Sequence, residues 1–456
     1  MSPTSTATTV DTQRESPFPP VSISDGINAV RHLLWRDPFV LLLFLSLLTL
    51  GSDELAIRLG GITLRVAFPI IMTAFAALYI RQSGNIAFDR HLSILFCLWT
   101  ISALASTFQS YQPAKSLGYT AWLLFNFFFI IGLGYNFSRN YGPKLALALW
   151  FLVFRIHAAL VFLELIFFAA RGIFVRPSLW FYEPSYLAIF MIAYFGSALF
   201  MLLREGKAYR FDFLLAAATM LVISSATAIL AIFLATLLNI LIARQRLKLI
   251  LWATSAIAAF LFLLHTFFAS TSYYALVAGF LLGEGNIVQL ILGRGGNRVV
   301  RAYIGLEAFQ QHPWLGIGIG ADAAYMERSP IPEEAATYVK TWINVAEGQP
   351  FSNVIIEVLG TTGLIGLIPF TAIVIYAAGR MLQQIRKRTS PETVAFFVGF
   401  FSIFMALQFE STVLRYYLWS PLGLALGSIV YNRIAAAGQH GNALQQPVFT
   451  PIRDRT

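Results

Sequence analysis

The chain has 456 residues, of which 57% are apolar and 12% charged, and its mean hydropathy is +0.69. This composition excludes an ordinary soluble domain and predicts a polytopic membrane protein. The apolar runs, each roughly 20 residues long, do not alternate with polar residues, so they predict an all-α bundle of spanning helices and not a barrel. The net charge of +10 is dispersed over short segments, which argues against nucleic acid as a partner.

Residues 1–37 are polar and rich in Ser, Thr and Pro, so we predict a disordered cytoplasmic tail there and a second one at 433–456. The segments between them predict a bundle of about twelve spans, with nine in 38–270 and three in 353–432. The predicted spans lie near 38–57, 62–81, 91–109, 117–137, 145–170, 185–204, 211–224, 226–243, 248–269, 353–379, 393–410 and 414–432.

Most of the 32 Lys and Arg residues fall in loops on one side of this arrangement. Because basic residues in short loops stay on the cytoplasmic side, both termini are predicted to be cytoplasmic. The loop 171–184 and the long, mostly helical segment 271–352 then face outward. Residues 211–243 would form one helix of about 50 Å, and two short helices fit the membrane better, whereas a single tilted helix would invert the orientation of everything before it.

Three arginines, Arg294, Arg298 and Arg301, lie on an amphipathic run of the 271–352 segment. Arg298, Arg301 and Gly305 recur at helical spacing and so share one helix face. Since a guanidinium offers forked donors that match phosphate oxygens, the run is a candidate site for an anion carried on a lipid. The alternative is a surface helix whose arginines are only solvated.

A glycine-rich turn follows this run. His312-Pro313 is predicted to end the helix, because the residue before a proline is pushed away from helical angles. Gly316, Gly318 and Gly320 then allow a tight backbone course. A nucleotide site would need a preceding strand in a βαβ unit, and the pattern contains none.

The outward loop 171–184 carries Arg176 and ends in Tyr182-Glu183-Pro184 at the start of a predicted span. Glu183 is a candidate general base or hydrogen-bond acceptor for a substrate hydroxyl. Its alternative role is to complement the positive N-terminus of the helix that follows.

Arg155 lies near the middle of a predicted span, where ionisable groups are costly and rarely face lipid. It either forms a buried ion pair with Glu164 or Glu357 or helps to hold a lipid-linked phosphate. Glu410 and Arg415 flank the last outward turn and either form a local ion pair or line the outward cavity. No metal site is predicted, because the six histidines are scattered and the single cysteine lies within a span.

An arginine, a helix ending in His-Pro, a Gly-x-Gly turn and a Gly-x-x-Gly span, in this order, resemble the O-antigen polymerase and O-antigen ligase family of bacterial inner-membrane glycosyltransferases. Arg298 stands fifteen residues before Pro313, as the family's arginine does. The run Tyr182-Glu183-Pro184-Ser185-Tyr186 resembles the Glu-Pro-Ser element of polysaccharide polymerases in this group. The other matching residues are His312-Pro313, Gly316-Ile317-Gly318 and Gly363-Leu364-Ile365-Gly366.

The chain departs from this pattern at Ser352-Asn353, where family members often carry His-Asn. In ligase-type members that histidine is thought to assist the reaction, so its absence favours a polymerase. Ser352 cannot act as a base at neutral pH. Asn353 is then a positioning group, and Glu183 or Glu357 is the candidate base.

The resemblance implies a GT-C-like membrane glycosyltransferase at the periplasmic face of the inner membrane, inverting and without cofactor or metal. The implied donor and acceptor are glycan units on undecaprenyl diphosphate, polymerised into exopolysaccharide or O-antigen, with chain-length regulator and export proteins as further partners. An O-antigen ligase acting on lipid A core, or a lipid-linked sugar transporter or flippase, is an alternative, although no internal repeat supports a transporter. The implied catalytic residues are Arg298, Glu183 and Asn353, and the implied substrate-binding residues are Arg176, Arg294, Arg301, Arg155, Tyr182, Ser352, Glu357 and Arg415.

Overall fold

The computed structural model describes residues 23–52, 54–59, 62–173, 175–223, 226–243, 287–329, 350–410 and 412–440. The described chain is helical except for one antiparallel hairpin, in which β1 (Ala56–Leu59) pairs with β2 (Ile62–Arg65). The expected helical bundle is confirmed, and the hairpin is the one departure from an all-α fold among the described residues.

Five of the described helices begin at a proline. Proline occupies the first turn of α2, α5, α7, α8 and α14, where its missing N–H costs nothing. The helices of the first half are α1 (Ile23–Arg36), α2 (Pro38–Leu48), α3 (Ala67–Arg81), α4 (Arg90–Ser106), α5 (Pro113–Phe125), α6 (Gly132–Tyr141) and α7 (Pro143–Ala169). Those of the second half are α8 (Pro184–Glu205), α9 (Arg210–Ile223), α10 (Ala226–Ile242), α11 (Ile287–Gln311), α12 (Asp322–Met326), α13 (Val354–Lys387), α14 (Pro391–Ala406) and α15 (Tyr416–His440).

Within the described ranges, six helical stretches are long and apolar enough to cross a bilayer. All six overlap predicted spans, and one of them, Pro184–Ile223, combines two predicted spans. The predicted span at 248–269 lies outside the described residues. The count of about twelve spans therefore stays a prediction. The six stretches are Arg90–Gln109, Pro113–Tyr141, Pro143–Ala169, Pro184–Ile223, Val354–Lys387 and Pro391–Phe409.

The predicted spans at 38–57 and 62–81 are not continuous helices. They contain α2, 11 residues or about 16 Å long, and α3, 15 residues or about 22 Å long. The β1–β2 hairpin lies between these helices. The sequence does carry a hairpin signal there, because a Gly-Gly dipeptide at 60–61 separates two short runs that each contain an isoleucine.

Residues 23–36, predicted as part of a disordered tail, form the helix α1. Its buried residues Ile23, Ile27 and Val30 recur at i, i+4 and i+7 and so line one face. This face packs on α7 and α2. The tail prediction is therefore wrong for this segment, because the apolar stripe has a bundle to pack against.

The long apolar run at 211–243 forms two helices that reverse direction, as preferred from its length. Asp212 accepts a hydrogen bond from Tyr194 and Asn239 donates one to the carbonyl of Gly196, so both residues reach the same part of α8. One continuous helix would separate Asp212 and Asn239 by about 40 Å. The run therefore returns along α8, which packs against both α9 and α10.

Candidate functional site

The helix α11 carries Arg298 and Arg301 along a face that packs on the start of α13. Val300, Ile304 and Ala308 are buried apolar residues of this helix and recur at i, i+4 and i+8. They form a small apolar core of their own, which includes the buried Phe351 just before α13. This core fixes the helix, and the two arginines next to its apolar stripe both act electrostatically on Glu410.

The Gly-rich turn after α11 docks into a break in α13. The break lies at Gly363, whose φ of 63° favours glycine, and a Cβ there would lie 2.2 Å from the carbonyl oxygen of Trp314. The turn thus satisfies backbone groups that an interrupted membrane helix would leave unpaired. Four hydrogen bonds join the two segments: Ile317 N to Gly360 O (3.0 Å), Gly318 N to Thr361 O (2.9 Å), Leu364 N to Pro313 O (2.9 Å) and Ile365 N to Trp314 O (3.2 Å).

Arg298 forms an ion pair with Glu410, in the turn between α14 and α15. The Glu410 side chain is buried, whereas that of Arg298 is about one third exposed. Burial raises the pKa of Glu410, and the charge of Arg298 opposes that rise. The pair therefore places a cation that can reach solvent beside a carboxylate whose ionised form is costly.

Arg301 and Arg415 complete a cationic site with Arg298. Arg301 is buried, which lowers the pKa of its guanidinium, and its Nη1 atom lies 3.4 Å from the carbonyl of Pro350. The guanidinium of Arg415 stacks 4.0 Å from the centre of the Tyr186 ring. Tyr186 and Glu410 both act electrostatically on Arg301, so the three arginines share neighbours.

Glu183 and Ser185 bring the loop before α8 into this site. Ser185 donates a hydrogen bond of 2.5 Å to Glu183 Oε1, and its hydroxyl also lies close enough to Glu410 to lower the pKa of that carboxyl. Glu183 raises the pKa of Glu410 by like-charge repulsion. Tyr182 is largely exposed, with its ring 6.2 Å from that of Tyr186. We call Glu183, Ser185, Tyr186, Arg298, Arg301, Glu410 and Arg415 the arginine cluster.

The starts of three helices meet at the arginine cluster. Tyr186 lies in the first turn of α8, Glu357 in the first turn of α13, and Arg415 immediately before α15. The N-terminus of a helix carries a partial positive charge, so all three helices add to the cationic character of the site.

Two residues predicted to meet the substrate instead hold the turn that carries Glu410. Glu357 is buried and accepts hydrogen bonds from the Thr412 hydroxyl at 2.7 Å and from Val413 N at 3.1 Å. Asn353 caps α13 by accepting from two backbone N–H groups, and its Nδ2 donates to the carbonyl of Gln408 at 3.0 Å. In the structure the polar atoms of both residues are engaged in these bonds and position the turn. The predicted roles of Glu357 as a ligand or base and of Asn353 as a catalytic residue stay predictions.

Arg155 lies outside the arginine cluster, and both partners predicted for it are wrong. Its guanidinium makes a bidentate pair with Asp212, with both N–O distances 2.8 Å, and Asp212 is fully buried and also accepts from Tyr194. Glu164 instead accepts the backbone N–H groups of the outward loop at Ser178 and Leu179. Arg155 does form a buried ion pair, as one of its two interpretations predicted, but with a different partner. Its charge is neutralised within the bundle, which argues against a role in binding phosphate.

Three further predicted residues are placed as follows. Arg176 is exposed, and no contact joins it to the arginine cluster among the described residues. Arg294 lies on α11, with its side chain outside what the structure describes. Ser352 is buried next to the Asn353 cap, and its hydroxyl has no hydrogen-bond partner within the described part of the chain.

Sequence reasoning missed Asp322 and the joining of Arg298 to Glu410. Asp322 lies in the short helix after the Gly-rich turn, and burial raises its pKa, while Lys115 and the backbone N–H of Phe351 oppose that rise. The short apolar helix around Asp322 gave no periodic signal. Arg298 and Glu410 are 112 residues apart, so no local pattern could pair them.

These features define a helical membrane protein with a cationic site where several of its helices begin. Residues 211–371 match the family described as O-antigen ligase. The match runs from α9 into α13 and includes Arg298, Arg301 and the Gly-rich turn, whereas Glu183 and Glu410 lie outside it. It confirms the resemblance to O-antigen polymerases and ligases and identifies a membrane enzyme that handles glycans. Among curated proteins, none matches the chain in sequence.

Proposed function

We propose that this protein is a polysaccharide polymerase that joins glycan repeat units carried on undecaprenyl diphosphate. The observation that carries the proposal is that Arg298, Arg301 and Arg415 converge near the place where α8, α13 and α15 begin. Such a site suits an anionic group with several oxygens, because guanidinium groups bind phosphate through forked hydrogen bonds and helix N-termini add positive potential.

The chemistry of this donor needs mainly electrostatic help. As the glycosidic bond to the diphosphate breaks, negative charge develops on the leaving group, and fixed cations aimed at that charge are the strongest catalytic device available. The arginines would bind and neutralise the diphosphate, while a carboxylate accepts the proton of the acceptor hydroxyl. Direct displacement by that hydroxyl inverts the anomeric carbon and needs no metal.

The segment Ser352-Asn353 supports a polymerase over a ligase. In the family resemblance this place often holds His-Asn, and the histidine is thought to assist ligation. Here Ser352 is buried and Asn353 is committed to capping α13, so this segment offers no titratable group for a proton transfer near neutral pH. A proton acceptor has to come from another part of the site.

The proposal places the protein in the bacterial inner membrane, with both termini cytoplasmic and the arginine cluster at the periplasmic face. The polymer is an exopolysaccharide or O-antigen, and chain-length regulator and export proteins are the partners that such a product requires. The exposure of Tyr182 at the edge of the cluster suits a stacking surface for a sugar.

The test is to incubate the purified full-length protein with a defined undecaprenyl-diphosphate repeat unit in the presence of a metal chelator. We expect a ladder of longer glycans on the lipid and release of undecaprenyl diphosphate. Transfer only when lipid A core is added would show a ligase instead. Movement of the lipid across proteoliposomes with no new glycosidic bond would show a transporter.

A further inference from the structure

The two carboxylates of the arginine cluster are held differently. Glu183 accepts a 2.5 Å hydrogen bond from Ser185 and is partly exposed at the start of α8. Glu410 is buried and forms an ion pair with Arg298, the arginine that the phosphate-binding proposal depends on most. Glu410 thus occupies the guanidinium that the substrate diphosphate would bind.

The chain on both sides of Glu410 is anchored. Asn353 holds the carbonyl of Gln408, and Glu357 holds the N–H of Val413. Beyond them, Trp122 and Asn126 both donate to the carbonyl of Leu414, at 3.1 and 3.0 Å. A change of partner at Glu410 therefore requires only its side chain and the residues next to it to move.

A diphosphate is a stronger partner for Arg298 than a carboxylate is. It brings more charge and more acceptor oxygens, and it binds Arg301 and Arg415 at the same time, whereas Glu410 offers one carboxylate. We propose that the donor diphosphate displaces Glu410 from Arg298, and that the released Glu410 carboxylate is the base that deprotonates the acceptor hydroxyl. This inference rests on the proposed polymerase function.

The electrostatics of the site support this exchange. Burial raises the pKa of Glu410, and the charge of Arg298 counteracts that rise. When a phosphate neutralises Arg298, that opposing effect is weakened and Glu410 becomes more basic. The charged and titratable groups that face Glu410 or its neighbours from the packed elements are Arg298, Arg301, Glu183, Tyr186 and Arg415.

The reaction step balances as a single displacement. The proton of the acceptor hydroxyl passes to Glu410 as the acceptor oxygen forms a bond to the anomeric carbon of the donor glycan. The bond from that carbon to the diphosphate oxygen breaks, and its electron pair leaves with undecaprenyl diphosphate. Glu410 then returns its proton to solvent and pairs again with Arg298 after the leaving lipid departs. The base is thus available only while the donor is bound.

The experiment compares wild type with Glu410→Gln, with Glu410→Asp as a second variant and Glu307→Gln as the control. Glu307 lies on α11 and bonds only to Gln311 among its described side-chain partners, so its replacement should change nothing. Two quantities are measured on the same detergent-purified protein: the affinity for undecaprenyl diphosphate, and kcat for polymerisation as a function of pH.

Glu410→Gln should bind undecaprenyl diphosphate at least as tightly as wild type, because it removes the carboxylate that competes with the lipid for Arg298. Its kcat should fall by about 10²- to 10⁴-fold, the usual contribution of a general base. The acidic limb of its pH profile should disappear, whereas Glu410→Asp should keep that limb at reduced kcat.

Weaker lipid binding by Glu410→Gln would overturn the displacement, because Glu410 would then only hold Arg298 in place. An unchanged kcat and pH profile would overturn the assignment of the base. A wild-type protein that binds the lipid but forms no glycosidic bond would overturn the proposed function itself, and the lipid affinity of Glu410→Gln would still report on the displacement.

Discussion

Arg298 and Glu410 are 112 residues apart in the chain and form an ion pair that fastens α11 to the turn before α15. The pair joins the part of the chain that matches the O-antigen ligase family to a segment outside that match. It also blocks the guanidinium that a diphosphate would need. In this structure the anion bound to Arg298 is therefore the protein's own Glu410 carboxylate.

Replacing Arg298 should remove most of the activity. We expect Arg298→Ala to lower kcat/KM for the lipid-linked donor at least about 100-fold, since one charge-stabilising donor is worth that much or more in similar sites. Arg298→Lys should recover part of the loss, because it keeps the charge and loses the forked donors.

The matched control is Arg328→Ala. Arg328 is exposed and lies over the Tyr111 ring, at 4.9 Å, outside the arginine cluster. Equal loss of kcat/KM in both variants, measured on protein of equal thermal stability, would show that the surface charge as a whole matters and not Arg298.

Replacing Gly363 should damage the docking of the Gly-rich turn. Gly363→Ala puts a Cβ 2.2 Å from the Trp314 carbonyl oxygen at a φ of 63°, so we expect a loss of about 2–3 kcal/mol or a failure to fold. Gly379→Ala lies in the same helix with open space around it and should be neutral or slightly stabilising. Thermal unfolding in detergent measures both, and equal melting temperatures would contradict the docking role.

The Arg155–Asp212 pair should matter for stability and not for donor binding. Arg155→Ala leaves the fully buried Asp212 without its cation, which typically costs about 3–5 kcal/mol. The double variant Arg155→Met, Asp212→Leu removes both charges and should restore most of that loss. A raised KM for the donor in a stable Arg155 variant would instead support the phosphate-binding role expected from the sequence.

The rate of polymerisation should fall in acid at a higher pH than an exposed glutamate would give. Because the base acts only when ionised, and burial raises the pKa of Glu410 above the ordinary 4.5, the acidic limb should lie above pH 4.5. Glu183→Gln removes a like charge that raises this pKa, so the limb should move to lower pH. Loss of the limb in Glu183→Gln would identify Glu183 as the base.

The sequence was informative wherever function depends on local spacing. The positions of Arg298 and Arg301 on one helix and the turn after His312-Pro313 could both be predicted from short patterns. Even there, the reason for the pattern needed the structure, because the turn and the break satisfy each other's backbone groups. The apolar stripe of Ile23, Ile27 and Val30 in α1 was also present in the sequence, but the polar residues around it favoured a disordered tail.

Pairings across the bundle could not be predicted. Arg155 had several acidic residues as candidate partners. Nothing in the sequence indicated that Asp212, at the start of α9, would be buried against it. Asn353 and Glu357 were predicted to meet the substrate, and in the structure their polar atoms hold Gln408, Thr412 and Val413. Which group a polar residue contacts is decided by how distant helices pack, and composition and periodicity do not contain that.

Polymerisation at the arginine cluster can be measured by counting the undecaprenyl diphosphate released per glycosidic bond formed from a single defined lipid-linked repeat unit. We predict one lipid released for each bond, in wild type and Arg328→Ala alike, and no detectable bond formation with Arg298→Ala. Chain extension by Arg298→Ala at the wild-type rate, or lipid release by wild type without any new bond, would contradict the account.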